Sequence, residues 1–200
     1  MNSSDTAVIV FAKRPEPGKV KTRLATGVGD ERAVKIYRRL VEYTVGEVRI
    51  SSADVWLYYA PEDAEPFFRD WLGMMEFRSQ AEGDLGARML AAFQAGHAEK
   101  TIIIGTDCPD LNSAVLNTAS LALDEADLVL GPTFDGGYYL VAARKPYPAL
   151  FDRMPWSTDQ VLDETLFRAQ ELGLRTRLLK KLLDVDTTED LDASGFDKDN

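Results

Sequence analysis

The chain has 200 residues, 45% of them hydrophobic, and its 33 acidic and 23 basic side chains give a formal charge of −10. That length suits one compact domain over residues 1–200, and the negative field opposes nucleic acid or an anionic membrane surface as a partner. The single cysteine, Cys108, allows no internal disulfide and no multi-cysteine metal site, so a metal would rest on oxygen ligands.

A first strand is predicted over residues 6–12, TAVIVFA. Its apolar stretch is far shorter than a signal-peptide core or the ~20 residues that span a bilayer, and a cytoplasmic protein is expected. Directly after it, Lys13 to Arg23 carries five bases and one acid, net +4, while Asp184 to Asp199 carries seven acids and one lysine, net −6. The basic stretch contains PGKVKT but lacks the P-loop pattern, because Lys13 and Val20 stand where that motif needs Gly and Ser or Thr. What remains is a loop stiffened by proline, with Gly18, Lys19, Lys21 and Arg23 able to wrap phosphate. Surface exposure of Lys13 and Arg14 is the alternative.

Helical spacing follows over residues 30–50, 61–72, 85–99, 113–126 and 157–173, the last with Gly173 as a stop. Strand-like runs stand between them at 53–60, 75–79, 101–106, 126–132 and 138–143. Such alternation reads as α/β with a mostly parallel sheet and helices on both faces. Residues 133–137 are too few for a crossover helix, so an antiparallel or sharply turned pair is expected there. The tail over residues 194–200 is expected to be loose.

Four further segments carry chemistry. In QAEGDLGARM, Gly83 and Gly86 flank Asp84 at a helix mouth, where free N–H groups and close backbone approach suit a ligand. An N-cap at Asp84 with turn-shaping glycines explains the same residues, and Arg88 faces either ligand or solvent. In IIIGTDCPDL a buried strand delivers Asp107 to the sheet edge, placed to hold Mg²⁺ or Mn²⁺, or else to cap. Cys108 reads as a packed thiol, and the one histidine, His97, as a surface residue. In GPTFDGGYYL, Asp135 precedes Gly136, Gly137 and Tyr138, whose backbone can approach a ligand. In LLDVDTTEDL, Asp184 and Asp186 alternate to opposite faces, so only one can join Asp107, and Thr187 or Thr188 caps a short acidic helix.

FAKRPEPGKVKTRLA, GDLGARM, GTDCPDL, GPTFDGGYYL, PWSTDQVL and DVDTTEDL, in this order, resemble bacterial transferases of the nucleotide-diphospho-sugar transferase (GT-A) superfamily, over about residues 6–191. These are often labelled glycosyltransferases associated with radical-SAM and selenium-domain proteins, and they are related to 2-phospholactate and molybdenum-cofactor guanylyltransferases. The resemblance implies a three-layer α/β/α Rossmann-like GT-A fold with a mostly parallel mixed sheet. It implies that Ala12, Lys13, Gly18, Lys19, Lys21 and Arg23, with Gly83, Asp84, Gly86 and Arg88, hold a nucleotide. Asp107 and Asp186 then match the metal positions, and Asp135, Gly136, Gly137 and Tyr138 the acceptor loop. Lys21, Arg23 and Asp107 are the catalytic candidates. The metal loop reads Asp-Cys-Pro, without the second aspartate of the DxD common in GT-A glycosyltransferases. Nucleotidyl transfer from an NTP to a phosphorylated or carboxylate acceptor is therefore favoured over glycosyl transfer from an NDP-sugar. A binding protein without turnover is the third reading.

Overall fold

The computed structural model describes residues 4–197. Its strands are β1 (Thr6–Lys13), β2 (Asp54–Ala60), β3 (Glu76–Ser79), β4 (Lys100–Ile104), β5 (Leu128–Pro132), β6 (Tyr138–Ala143) and β7 (Thr176–Leu178). They form one sheet in the order β3-β2-β1-β4-β6-β5-β7. Only β6 runs antiparallel to its neighbours β4 and β5, as the short connection before it requires. The helices are α1 (Thr22–Val28), α2 (Asp30–Arg49), α3 (Glu65–Leu72), α4 (Leu85–Gln94), α5 (Ser113–Ala122), α6 (Val161–Glu171) and α7 (Thr188–Ser194).

The central strands are apolar without interruption because helices cover both faces of the sheet. Along β1, Val8 and Val10 join Val41, Phe68 and Leu116 from α2, α3 and α5. The alternate residues Ile9 and Phe11 pack with Met89 and Phe93 of α4 and Ala169 of α6. A third cluster sets Leu24 of α1 and Ile36 of α2 against Val185 and Leu191, tying the end of the fold to its beginning. At the foot of β4 the buried Lys100 carries its ammonium to Asp124 at 2.7 Å. Among the described residues no helix is long and apolar enough to cross a membrane.

Five points of the sequence reading are corrected here. Residues 22–28 are helical, not loop, and β7 was not anticipated. The fourth helix ends at Gln94, short of residue 99. Beyond it His97 is not a free surface group: its ring stacks on Trp56 at 3.8 Å and its Nε2 lies 2.7 Å from the Tyr58 hydroxyl. Nor is the tail loose from Ser194, which closes α7. Phe196 packs on the third cluster and Asp197 pairs with Arg32 and Arg39 at 2.6 and 3.0 Å; residues 198–200 lie outside the described residues.

Phe68 is fully buried beneath the sheet, whereas Met74 is 86% exposed. Phe68→Ala is expected to cost about 3–5 kcal/mol in urea unfolding, while Met74→Ala stays within about 0.5 kcal/mol of the parent.

Candidate functional site

The strand order reverses between β1 and β4, since the chain winds outward to β2 and β3 on one side and to β6, β5 and β7 on the other. Open α/β sheets place ligands at such a switch, beyond the carboxyl ends of the strands. A cleft of about 620 Å³ lies there, floored by Phe11, Ala12, Ile103 and Ile104 and walled by residues 19–23, by Gly83, Asp84, Leu85 and Arg88, and by Tyr138.

The upper end of β1 is held by side chains. The Tyr37 hydroxyl accepts from Lys13 N at 2.8 Å and donates to Lys13 O at 3.1 Å, and burial pushes its phenol up to about 12. Gln80 Nε2 donates to Tyr58 O at 2.9 Å and Ala12 O at 3.3 Å. Arg88 then reaches Gln80 Oε1 at 3.3 Å and Gly83 O at 3.0 Å. Arg88 thus braces the turn that carries it.

The bases of the first loop have different fates. Glu16 gathers Arg14 and, at 2.6 Å, Lys19. Lys21 adopts a left-handed backbone (φ 48, ψ 43) at the start of α1, which turns its side chain inward to 4% exposure. Its Nζ lies 2.6 Å from Asp107 Oδ1 and 2.9 Å from Asp186 Oδ1, and Arg23 approaches Asp186 Oδ2 at 3.4 Å. Burial alone would favour the neutral amine, but the two carboxylates outweigh it and hold the ammonium far above its ordinary range. Asp107 and Asp186 reach this point by different routes. Asp107 leaves β4, while the chain after β7 runs beside β5 to Leu182 and crosses over, where Val185 N donates to Asp107 O at 2.8 Å.

Val185, between Asp184 and Asp186 in the chain, is fully buried. Asp186 faces the cleft, and Asp184 does not line it. Burial raises the Asp184 carboxyl to about 6, with Asp135 the foremost of the neighbouring charges. Cys108 is buried and burial pushes its thiol up strongly, so it is a packing group.

Of the residues singled out by sequence, Ala12, Lys13, Lys19, Lys21, Arg23, Gly83, Asp84, Arg88, Asp107, Asp186 and Tyr138 line the cleft. Asp84 also caps α4, accepting from Ala87 N at 2.8 Å. Gly18, Gly86, Asp135, Gly136 and Gly137 do not line it. Gly86 instead makes room for the segment before α6, since a Cβ there would meet Phe151 O at 2.7 Å and Trp156 at 2.8 Å. At Gly136 a Cβ would meet Asp159 O at 2.1 Å. Asp135 closes its own turn, accepting from Thr133 Oγ1 at 2.5 Å and Gly137 N at 3.0 Å. Sequence reasoning missed Tyr37, Gln80 and Ser157, which also line the cleft. Ser157, with φ 64, shows the one signal that could have found it, its place in PWSTDQVL.

Two carboxylates within 2.9 Å of one nitrogen are a donor set suited to Mg²⁺, which takes one or two carboxylates and completes its shell with water and substrate oxygens. Among the described residues no third His, Cys, Asp or Glu joins them in a metal-holding group.

A mixed sheet of this order, with its cleft at the β1 and β4 ends, defines the nucleotide-diphospho-sugar transferase fold. Residues 45–158 match the bacterial family described as "Uncharacterized protein conserved in bacteria (DUF2064)", and the chain belongs to that family. A protein from Desulfovibrio desulfuricans G20, assigned as a nucleotide-diphospho-sugar transferase, is similar at 35% identity and TM-score 0.91, over 95% of this chain and 86% of that one. The inositol-1-phosphate CTP transferase of T. maritima shares the fold at 15% identity and TM-score 0.66, covering 95% of this chain and 93% of its own. So does the 4-diphosphocytidyl-2C-methyl-D-erythritol synthase of Anaerococcus prevotii, at 14% identity and TM-score 0.60, covering 94% and 95%. No curated protein matches the chain in sequence.

Gly136 combines a positive φ of 89 with the close approach of Asp159. Gly136→Ala is therefore expected to cost about 2–4 kcal/mol in urea unfolding. Gly46, exposed within α2 and with open space around its Cβ position, is expected to respond with the opposite sign: Gly46→Ala stabilises by about 0.5–1 kcal/mol. The Asp184 carboxyl binds its proton more tightly in the folded chain than its ordinary value of 3.8 allows. Stability from this group is present below about pH 4 and lost as pH rises through about 6. Asp184→Asn should raise the melting temperature near neutral pH and leave it unchanged below about pH 4, as read by scanning calorimetry.

Proposed function

We propose that the protein is a nucleotide-dependent transferase, and that it transfers a nucleotidyl group from an NTP to a phosphate or carboxylate of a small acceptor. One observation carries this reading: a buried ammonium, Lys21, stands with the carboxylates of Asp107 and Asp186 at the strand ends, beside a loop of net positive charge.

Lys13, Lys19, Lys21 and Arg23 lie on the wall where a triphosphate would extend. Ion-assisted hydrogen bonds from such groups are among the strongest a protein makes to phosphate. An acceptor oxygen attacks the α-phosphorus, a new P–O bond forms, and the bond to the β-phosphate breaks as pyrophosphate leaves. The loop's bases neutralise the charge that grows on the departing pyrophosphate, and the fixed strand ends align the reacting groups. Asp107 and Asp186 would hold Mg²⁺, which supplies further neutralisation of phosphate oxygens when bound. Tyr37, Gln80 and Arg88 keep the backbone of this wall in place.

The assigned name of the Desulfovibrio relative favours a second reading, glycosyl transfer from an NDP-sugar. The basic loop speaks for the first, since expelling pyrophosphate demands more neutralisation than binding a finished sugar nucleotide.

Pyrophosphate release from GTP, CTP, UTP and ATP, each with Mg²⁺ and pools of phosphomonoester and carboxylate acceptors, tests the choice. Pyrophosphate from one NTP is the expected result. Turnover with an NDP-sugar and no pyrophosphate would transfer the chain to the second reading, and binding without any turnover would make it a binding protein. Asp107→Asn is expected to leave the circular dichroism spectrum unchanged and to lower turnover by about 10²-fold or more.

A further inference from the structure

Lys21 is unlike the other bases of its loop. Lys19 and Arg23 are 72% and 66% exposed and hold their partners Glu16 and Asp186 at the surface, while the Lys21 side chain is 4% exposed. Its backbone is left-handed, a conformation that costs a lysine free energy and is held by its surroundings. Its ammonium touches both carboxylates of the pair assigned above to the metal, at 2.6 and 2.9 Å.

We propose that Lys21 is the built-in counter-ion of the Asp107–Asp186 pair and competes with a divalent cation for it, so that the cation enters tightly only together with a nucleotide. The proposal rests on the reading of Asp107 and Asp186 as metal ligands. An ammonium and a divalent ion bound to the same two oxygens repel each other, and in a half-buried site that repulsion is poorly screened. Neither can the ammonium simply withdraw, because it would be left buried without a partner. Nucleotide phosphates resolve the conflict. They give the ammonium new acceptors inside the cleft, and their charge offsets that of the second cation. Metal and nucleotide therefore bind with positive coupling, and by linkage each strengthens the other equally. When the phosphates leave, Lys21 returns to the acids and expels the metal. A free divalent ion does not accumulate on the empty enzyme.

Binding of Mn²⁺ to the full chain without nucleotide, followed by calorimetry and by the loss of the free-ion paramagnetic resonance signal, tests this. The parent protein is expected to bind Mn²⁺ weakly. Lys21→Met, which keeps the stem and removes the charge, should bind it roughly tenfold more tightly. Lys21→Arg, which keeps the charge, should stay as weak as the parent. Lys21→Gln is the second uncharged variant should the methionine chain not fold alone. Folding of either uncharged variant restored by Mn²⁺ supports the exchange of one cation for the other. Unchanged or weaker Mn²⁺ affinity in a folded uncharged variant, or a chain that Mn²⁺ does not restore, overturns the proposal. Adding Asp107→Asn and Asp186→Asn to Lys21→Met separates the two failures: Mn²⁺ binding that survives their loss overturns the metal assignment itself, whereas binding that vanishes leaves that assignment standing.

Discussion

One buried ammonium joins three segments of chain that the sheet alone does not connect. Lys21 belongs to the connection after β1, Asp107 to the connection after β4, and Asp186 to the segment after β7. Removing Lys21 would leave two neighbouring carboxylates without the counter-ion they share, whereas losing either acid leaves the ammonium paired with the other. The pair is reinforced by the backbone bond from Val185 to Asp107 and by the small cluster of Leu24, Ile36, Val185 and Leu191 beneath it. The charges fix which loops meet, and the apolar cluster provides the burial that makes the meeting firm.

The same coupling explains what the sequence made legible. Strands β1 and β4 stand out because both faces are covered, so their apolar runs are unbroken. The antiparallel β6 follows from counting, since Thr133 to Gly137 leaves no room for a crossover. Helix α1 could not be read this way. It is seven residues long, contains Gly27, follows a lysine rather than a capping residue, and stands because Leu24 is buried by parts of the chain far off in sequence. Strand β7 is three residues of mixed character that exist as a strand through pairing with β5. Local pattern carries no trace of either cause.

The glycines show the limit from the other side. Read locally, Gly86 and Gly136 offer backbone to a ligand. In space both yield to the single segment running from Phe151 to Asp159, which packs across one and then the other. That segment thus braces the turn at the start of α4 and the turn before β6, and Leu162 N donates to Gly136 O at 2.8 Å to complete the seam. Fold and site must accordingly be argued separately: the sheet is shared with cytidylyltransferases at 14–15% identity, while the reaction proposed above would rest on side chains such as Lys21, Asp107 and Asp186.

Asp186 stands beyond all seven strands in chain order. As the polypeptide grows from its amino end, every strand of the sheet can be complete while Lys21 still has only Asp107 to pair with. The apolar cluster beneath α1 likewise waits for Val185 and Leu191. The site thus closes after the sheet, with only α7, Phe196 and Asp197 of the described residues to follow, and a nascent chain carries its strands before it carries both carboxylates. The proposed competence for a doubly charged ion would therefore arise only after the architecture that presents it has been built.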